Sequence, residues 1–110
     1  MNARDPLPDP ALAEKLAALA HPARIDIVRY LAGMDCCCCK DVVGRLDLAQ
    51  STVSQHLKVL VAAGLVRMVN DRQRSLYSVD RAALDQLGVA VTGMMRNLCA
   101  GEHRPGDREQ

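Results

Sequence analysis

Apolar residues recur at helical spacing in four stretches before the period changes near Leu65. Leu12, Leu16 and Leu19 follow Asp9 and Pro10, an N-cap with proline at the first helical position. They predict a first helix from Asp9 to about Ala20. His21 precedes Pro22, a pairing that disfavours helix at the histidine and starts a second helix with Ile25, Val28 and Leu31, beside Ile27, as its buried stripe. Gly33 ends it. Lys40 to Leu46 (KDVVGRL) predicts a short third helix, which Gly44 weakens by about 1 kcal/mol relative to alanine. After the tight link DLAQ, Val53, Leu57, Leu60 and Val61 line one face of a fourth helix, Ser51 to Ala63, with Gly64 as its left-handed terminator.

From Leu65 the runs LVRMVN and RSLYSV are short and β-branched, and Asp71, Arg72 and Gln73 between them predict a hairpin. Helical spacing returns after Asp80, where Leu84, Leu87, Val91, Met94 and Leu98 step by three and four. That spacing describes a seam for a partner helix, and together with Leu12, Leu16 and Leu19 it predicts a homodimer interface. The fold class is mainly α with a small β-hairpin wing, in the order α-α-α-α-β-β-α. Two short helices on a tight turn followed by a hairpin form a winged helix-turn-helix, whose second helix enters the major groove of DNA. The expected organisation is a flexible leader over 1–8, one winged domain with terminal dimerisation helices over 9–100, and a flexible tail over 101–110.

Composition narrows the partners. The chain has 110 residues, of which 49% are hydrophobic and 25% charged, as expected of one folded domain. Its longest apolar stretches, Val59 to Val66 and Leu87 to Met95, fall short of the roughly 20 residues that span a bilayer. MNARDPLPDP lacks the apolar core of an export signal, so the expected compartment is the cytoplasm. Trp and Phe are absent and the aromatic residues are Tyr30 and Tyr77 alone, so there is no stacking platform for single strands or RNA. Net charge is only +1, but from Ser51 to Arg74 the basic residues Lys58, Arg67, Arg72 and Arg74 face Asp71 alone, a local +3. Ser51, Thr52, Ser54, Gln55, His56 and Lys58 offer hydroxyl, amide, imidazole and ammonium groups suited to base edges or phosphates in duplex DNA, with no carboxylate among them. Charge alone describes an ordinary solvated helix and hairpin equally well.

Five cysteines, four of them consecutive at Cys36, Cys37, Cys38 and Cys39, do not form a disulfide framework in a reducing compartment. Thiolates bind soft cations, and four in sequence cannot all be buried filler on one side of an extended chain. Three of them converge only through a turn. Cys99 continues the helical face of Met95, which leaves both burial and a redox or extra-ligand role open. Cys36 and Cys39 form a CxxC without the βαβ context of a thiol oxidoreductase. Gly88 and Gly93 are not followed by the residues of a phosphate loop, and His21, His56 and His103 are scattered without a nucleophile. No enzyme is expected, and no cofactor for folding.

The runs LAHPARIDIVRYLAG, DVVGRLDLAQSTVSQHLKVLVAAGLVR and SLYSVD resemble the ArsR/SmtB family of metal-responsive winged-helix repressors, over roughly Leu16 to Asp80. The resemblance implies a homodimer that represses its operon on double-stranded operator DNA until an inducer binds. It makes Ser51, Thr52, Ser54, Gln55 and His56 groove-facing, and Arg67, Arg72 and Arg74 the wing's phosphate contacts. The chain departs from the family where Ala49 replaces a capping Ser, Asp or Thr and where Arg72 replaces the glycine of the wing turn.

The family's As(III), cadmium and lead sensors carry a CxC ahead of the third helix. Cys38 matches its first cysteine, and Lys40 stands at its second. As(III) and Sb(III), which take three thiolates in this family, suit the Cys36 to Cys39 cluster best; Cd(II) and Pb(II) suit it less. Zn(II) also fits less well, because the family's zinc site on the last helix needs Asp and His pairs, and Glu102 and His103 alone do not rebuild it. The family's persulfide sensors pair a cysteine on helix two, where Arg29 stands, with one resembled by LCAGE. The alternative reading is therefore a thiol redox or persulfide-responsive repressor that joins Cys99 to a cluster cysteine. A protein-interaction or metal-scavenging module that does not bind DNA is the reading from another class.

Overall fold

The computed structural model describes residues 7–101. Its order is α1 (Asp9–Leu19), α2 (Pro22–Ala32), β1 (Cys37–Cys38), α3 (Cys39–Arg45), α4 (Gln50–Ala62), β2 (Val66–Asp71), β3 (Arg74–Val79) and α5 (Arg81–Cys99). The expected helices and wing are present, and β1 is an addition. It pairs antiparallel with β3, Cys37 opposite Tyr77 and Cys38 opposite Leu76, and makes a sheet of order β1-β3-β2. A strand of two residues has no period to detect in sequence. Most of the expected leader and tail lies outside the described residues.

Local chemistry explains the helix ends. The N-cap of α1 is Pro8, so Asp9 sits in the first turn, where its carboxylate complements the helix dipole. His21 caps α2 in an extended conformation, its Nδ1 accepting the Ala23 N–H at 3.1 Å. Ala49 caps α4 with no side-chain bond. Gly64, at φ +80°, closes that helix in a Schellman arrangement, with Leu65 N–H bonded to Leu60 C=O and Gly64 N–H to Val61 C=O.

The core lies between α2, α3, α4 and the base of the sheet. Ile27, Leu31, Val42, Val53, Leu57, Leu60 and Leu65 are completely buried there. Ile25, expected in the stripe of α2, is instead exposed, because the i, i+4 pair Ile27 and Leu31 takes the inward face. Leu12 and Leu87, expected at the dimer seam, are buried in the protomer's own core. Two long cations tie the outer helices to this core at carbonyls left free by helix ends. Lys15 Nζ donates to Ala63 C=O at 2.6 Å and Arg81 Nη2 to Ala32 C=O at 3.0 Å. Among the described residues, no helix is long and apolar enough to cross a membrane.

Candidate nucleic-acid interface and thiol cluster

The inner face of α4, Val53, Leu57 and Leu60, fixes the rotation of the helix. Ser51, Thr52, Gln55 and Lys58 are left exposed on the other side and Ser54 half-buried at its edge. His56 is not among the outward residues. It follows Val53 by three positions, shares the buried face and is only 9% exposed. Its Nδ1 accepts from Arg24 Nε at 3.1 Å, and the His21 ring lies over it with centroids 4.6 Å apart. Burial, reinforced by His21 and the Arg24 charge, pushes the His56 pKa below the ordinary imidazole value. A neutral, inward imidazole braces the helix from behind; that signal lay in its spacing from Val53 and Leu60.

The wing projects Arg67, Arg72 and Arg74, all exposed. Arg67 stands at its base and pairs through Nε with Asp80 Oδ2 at 3.4 Å, while Asp80 Oδ1 caps α5 by accepting the Ala83 N–H. Asp71 and Arg74 close the ladder around a two-residue turn in which Arg72 adopts φ 60°. That is the left-handed conformation a glycine would take without strain, where the family pattern has one.

The cysteines are separated by the pleat of β1. Cys37 points inward, 1% exposed, against the Tyr30 hydroxyl. Burial raises its thiol pKa more than the Tyr30 bond lowers it, and burial followed by the neighbouring Cys37 raises Tyr30 as well. Cys38 caps α3, and Asp41 Oδ2 accepts both its N–H at 3.0 Å and its thiol at 3.3 Å. Those two bonds hold the Asp41 carboxyl below its usual range. Cys39 is half-buried with its thiol pKa raised, first by burial and then by Cys38, while Cys36 is exposed.

Among the described residues, no three His, Cys, Asp or Glu side chains gather as a metal-binding group. Cys99 is exposed at the far end of α5, a helix of 19 residues and about 28 Å, so the protomer does not bring it to the cluster. Glu102 and His103 lie outside the described residues. Tyr30 and Asp41 as thiol partners were missed in the sequence. Asp41 could have been found from its capping-box spacing three residues after Cys38. Cys38 and Cys39 line a cleft of about 430 Å³ together with Lys40, Gln50, Ser54 and Arg74.

A helix-turn-helix domain model matches residues 19–69, the span from the end of α1 into the wing. The HTH-type transcriptional regulator YgaV of Escherichia coli is 32% identical over 86 residues, covering 78% of this chain and 83% of that one. The chain belongs to the ArsR/SmtB family. Within that family, the HTH-type transcriptional repressor SmtB of Mycobacterium tuberculosis is 43% identical over 67 residues, 61% of this chain and 49% of the repressor. The chain thus spans about half the length of that relative. Among solved structures, one described as a possible transcriptional regulator for arsenical resistance superposes with a TM-score of 0.68 at 26% identity, covering 83% of this chain and 98% of its own.

Proposed function

We propose that this ArsR/SmtB-family protein is a homodimeric repressor that binds duplex operator DNA and is released when a thiophilic ligand occupies the Cys36 to Cys39 cluster. The observation that carries the DNA reading is the outward face of α4, Ser51, Thr52, Gln55 and Lys58, which is free of carboxylates and flanked by an arginine-bearing wing. Ser54, at the edge of that face, and Gln55 read base edges; Arg72 and Arg74 hold phosphates, and Arg67 contributes from the wing base.

Dimerisation is supported by α5 and α1. Leu16, Val89, Met95 and Leu98 remain exposed, and apart from its own helix backbone and chain neighbours no described residue lies within 4 Å of a Cβ placed at Gly88 or Gly93. That leaves room for the close approach of a second helix. Leu84, Val91, Met94 and Leu19, half-buried beside them, complete the seam.

As(III) and Sb(III) are the inducers that the thiol chemistry favours, because the cluster offers soft sulfur donors with no histidine beside them. Cys36, Cys38 and Cys39 are the accessible donors; Cys37 joins only if the two-residue β1 leaves β3. The test is a titration of reduced protein bound to its operator with As(III), following thiolate charge transfer and DNA release together. Release that survives Cys99→Ser and is lost on replacing Cys36, Cys38 and Cys39 is the expected result. Release by a persulfide donor alone, with Cys99 required, would overturn the metalloid reading in favour of the redox one. A reduced protein that binds no duplex would remove the repressor reading altogether.

A further inference from the structure

The cleft that holds Cys38 and Cys39 also touches both elements assigned to DNA. Ser54 reaches it from α4, Arg74 from the wing, Gln50 from the first turn of α4 and Lys40 from α3. Two cations therefore face a space of about 430 Å³ with no carboxylate among its lining residues, and Asp41, which feels the Arg74 charge, is already taken by the Cys38 N–H and thiol. A duplex that receives α4 in its major groove and the wing on its backbone must carry a phosphate strand across the gap between them. The mouth of this cleft is that gap.

We propose that the cleft seats a backbone phosphate of bound duplex DNA between Lys40 and Arg74, beside Cys38 and Cys39, so that DNA and a charged thiol ligand compete for one place. This rests on the DNA-binding reading and adds Lys40 and Gln50 to the contact surface. It also supplies a route to release that needs no movement of α4. An anionic group on either thiol repels the phosphate where it would sit, and a bulky one fills the space.

The experiment uses the full chain, reduced, with a mixed-sequence DNA duplex, since a phosphate contact is independent of sequence. Lys40 and Arg74 are exposed, so replacing them leaves the core untouched. Lys40→Ala is expected to weaken binding several-fold and to lower the slope of log affinity against log salt by about 0.9, the value for one lost phosphate contact. Bound duplex is expected to slow labelling of Cys38 and Cys39 by iodoacetamide, read thiol by thiol from peptide fragments. In a Cys36→Ser, Cys99→Ser chain, carboxymethylation of the cleft thiols should weaken binding several-fold more than the neutral carbamidomethyl adduct. A thermal melt confirms that both adducts stay folded. If the unmodified protein binds the duplex yet both thiols label at the same rate with and without it, and Lys40→Ala keeps the full salt slope, the cleft proposal is overturned while the DNA reading stands. If the unmodified protein binds no duplex at any salt concentration, both fall.

Discussion

Arg24 on α2 donates its Nε–H to Nδ1 of His56 on α4 at 3.1 Å, so the helix proposed to read DNA is braced by an imidazole that must accept and therefore stay neutral. Protonation would remove the acceptor and set a second positive charge against Arg24.

This brace makes stability depend on pH in a defined direction. The folded state holds His56 below its ordinary value of 6.5. On acidification the unfolded chain therefore takes up the proton first. Stability is full above that value, falls as pH drops through it, and levels off only below the folded-state value. His56→Gln should flatten this profile as pH falls below 6.5 in thermal melts. At neutral pH it should cost about 1–2 kcal/mol for an imperfectly replaced bond to a charged donor. An unchanged profile in the variant would assign the pH dependence elsewhere.

On DNA, the side chains of α4 and the wing should separate into two classes. Gln55→Ala is expected to cost about 1–3 kcal/mol on the operator and to relax discrimination locally, while Arg72→Ala should weaken all duplexes alike and reduce the salt slope by about one. Binding isotherms on specific and mixed-sequence duplexes at several salt concentrations check the division.

Arg72 also carries backbone strain, at φ 60°. Arg72→Gly should remove the steric penalty and raise folding stability by up to about 1 kcal/mol, offset in part by the freer unfolded chain. It should still lose DNA affinity as Arg72→Ala does. Stability and affinity moving in opposite directions, in denaturant titration and binding, is the signature.

The seam of α5 predicts that Val89→Glu or Leu98→Glu yields a folded monomer. Those side chains are 64% and 67% exposed in the protomer, so the change strikes assembly and leaves the core intact. Sedimentation with circular dichroism reads both properties, and a dimer persisting in both variants would move the interface away from this helix.

Cys37 and Cys36 are neighbours with opposite fates. Cys37→Ser places a more polar group in a fully buried site and should destabilise by about 1–2 kcal/mol, whereas Cys36→Ser should stay within about 0.5 kcal/mol. Native-state alkylation should label Cys36 and spare Cys37, whose thiol is both buried and raised in pKa.

The sequence by itself determined the helices and the wing, because each rests on local rules: periodicity at Leu57 and Leu60, the left-handed terminator at Gly64, the X-Pro break at His21. It also showed the arginines of the wing and the run of four thiols. Only the tertiary structure decided which way individual side chains faced where two elements competed for them. His56 has the polarity of a groove residue, and α2 draws it inward by offering Arg24 and His21. Leu12 and Leu87 fit a seam by spacing and are claimed by the protomer's own core. Cys37 and Cys38 look equivalent in sequence, and pairing of β1 with β3 sends one to Tyr30 and leaves the other at the N-cap of α3, bonded to Asp41. The burial of Leu12, Leu87 and Cys37 depends on contacts between residues distant in the chain, which no local pattern of apolar and polar positions encodes, whereas His56 and the Cys38–Asp41 pair also left a local trace, in the spacing from Val53 and Leu60 and in the capping box.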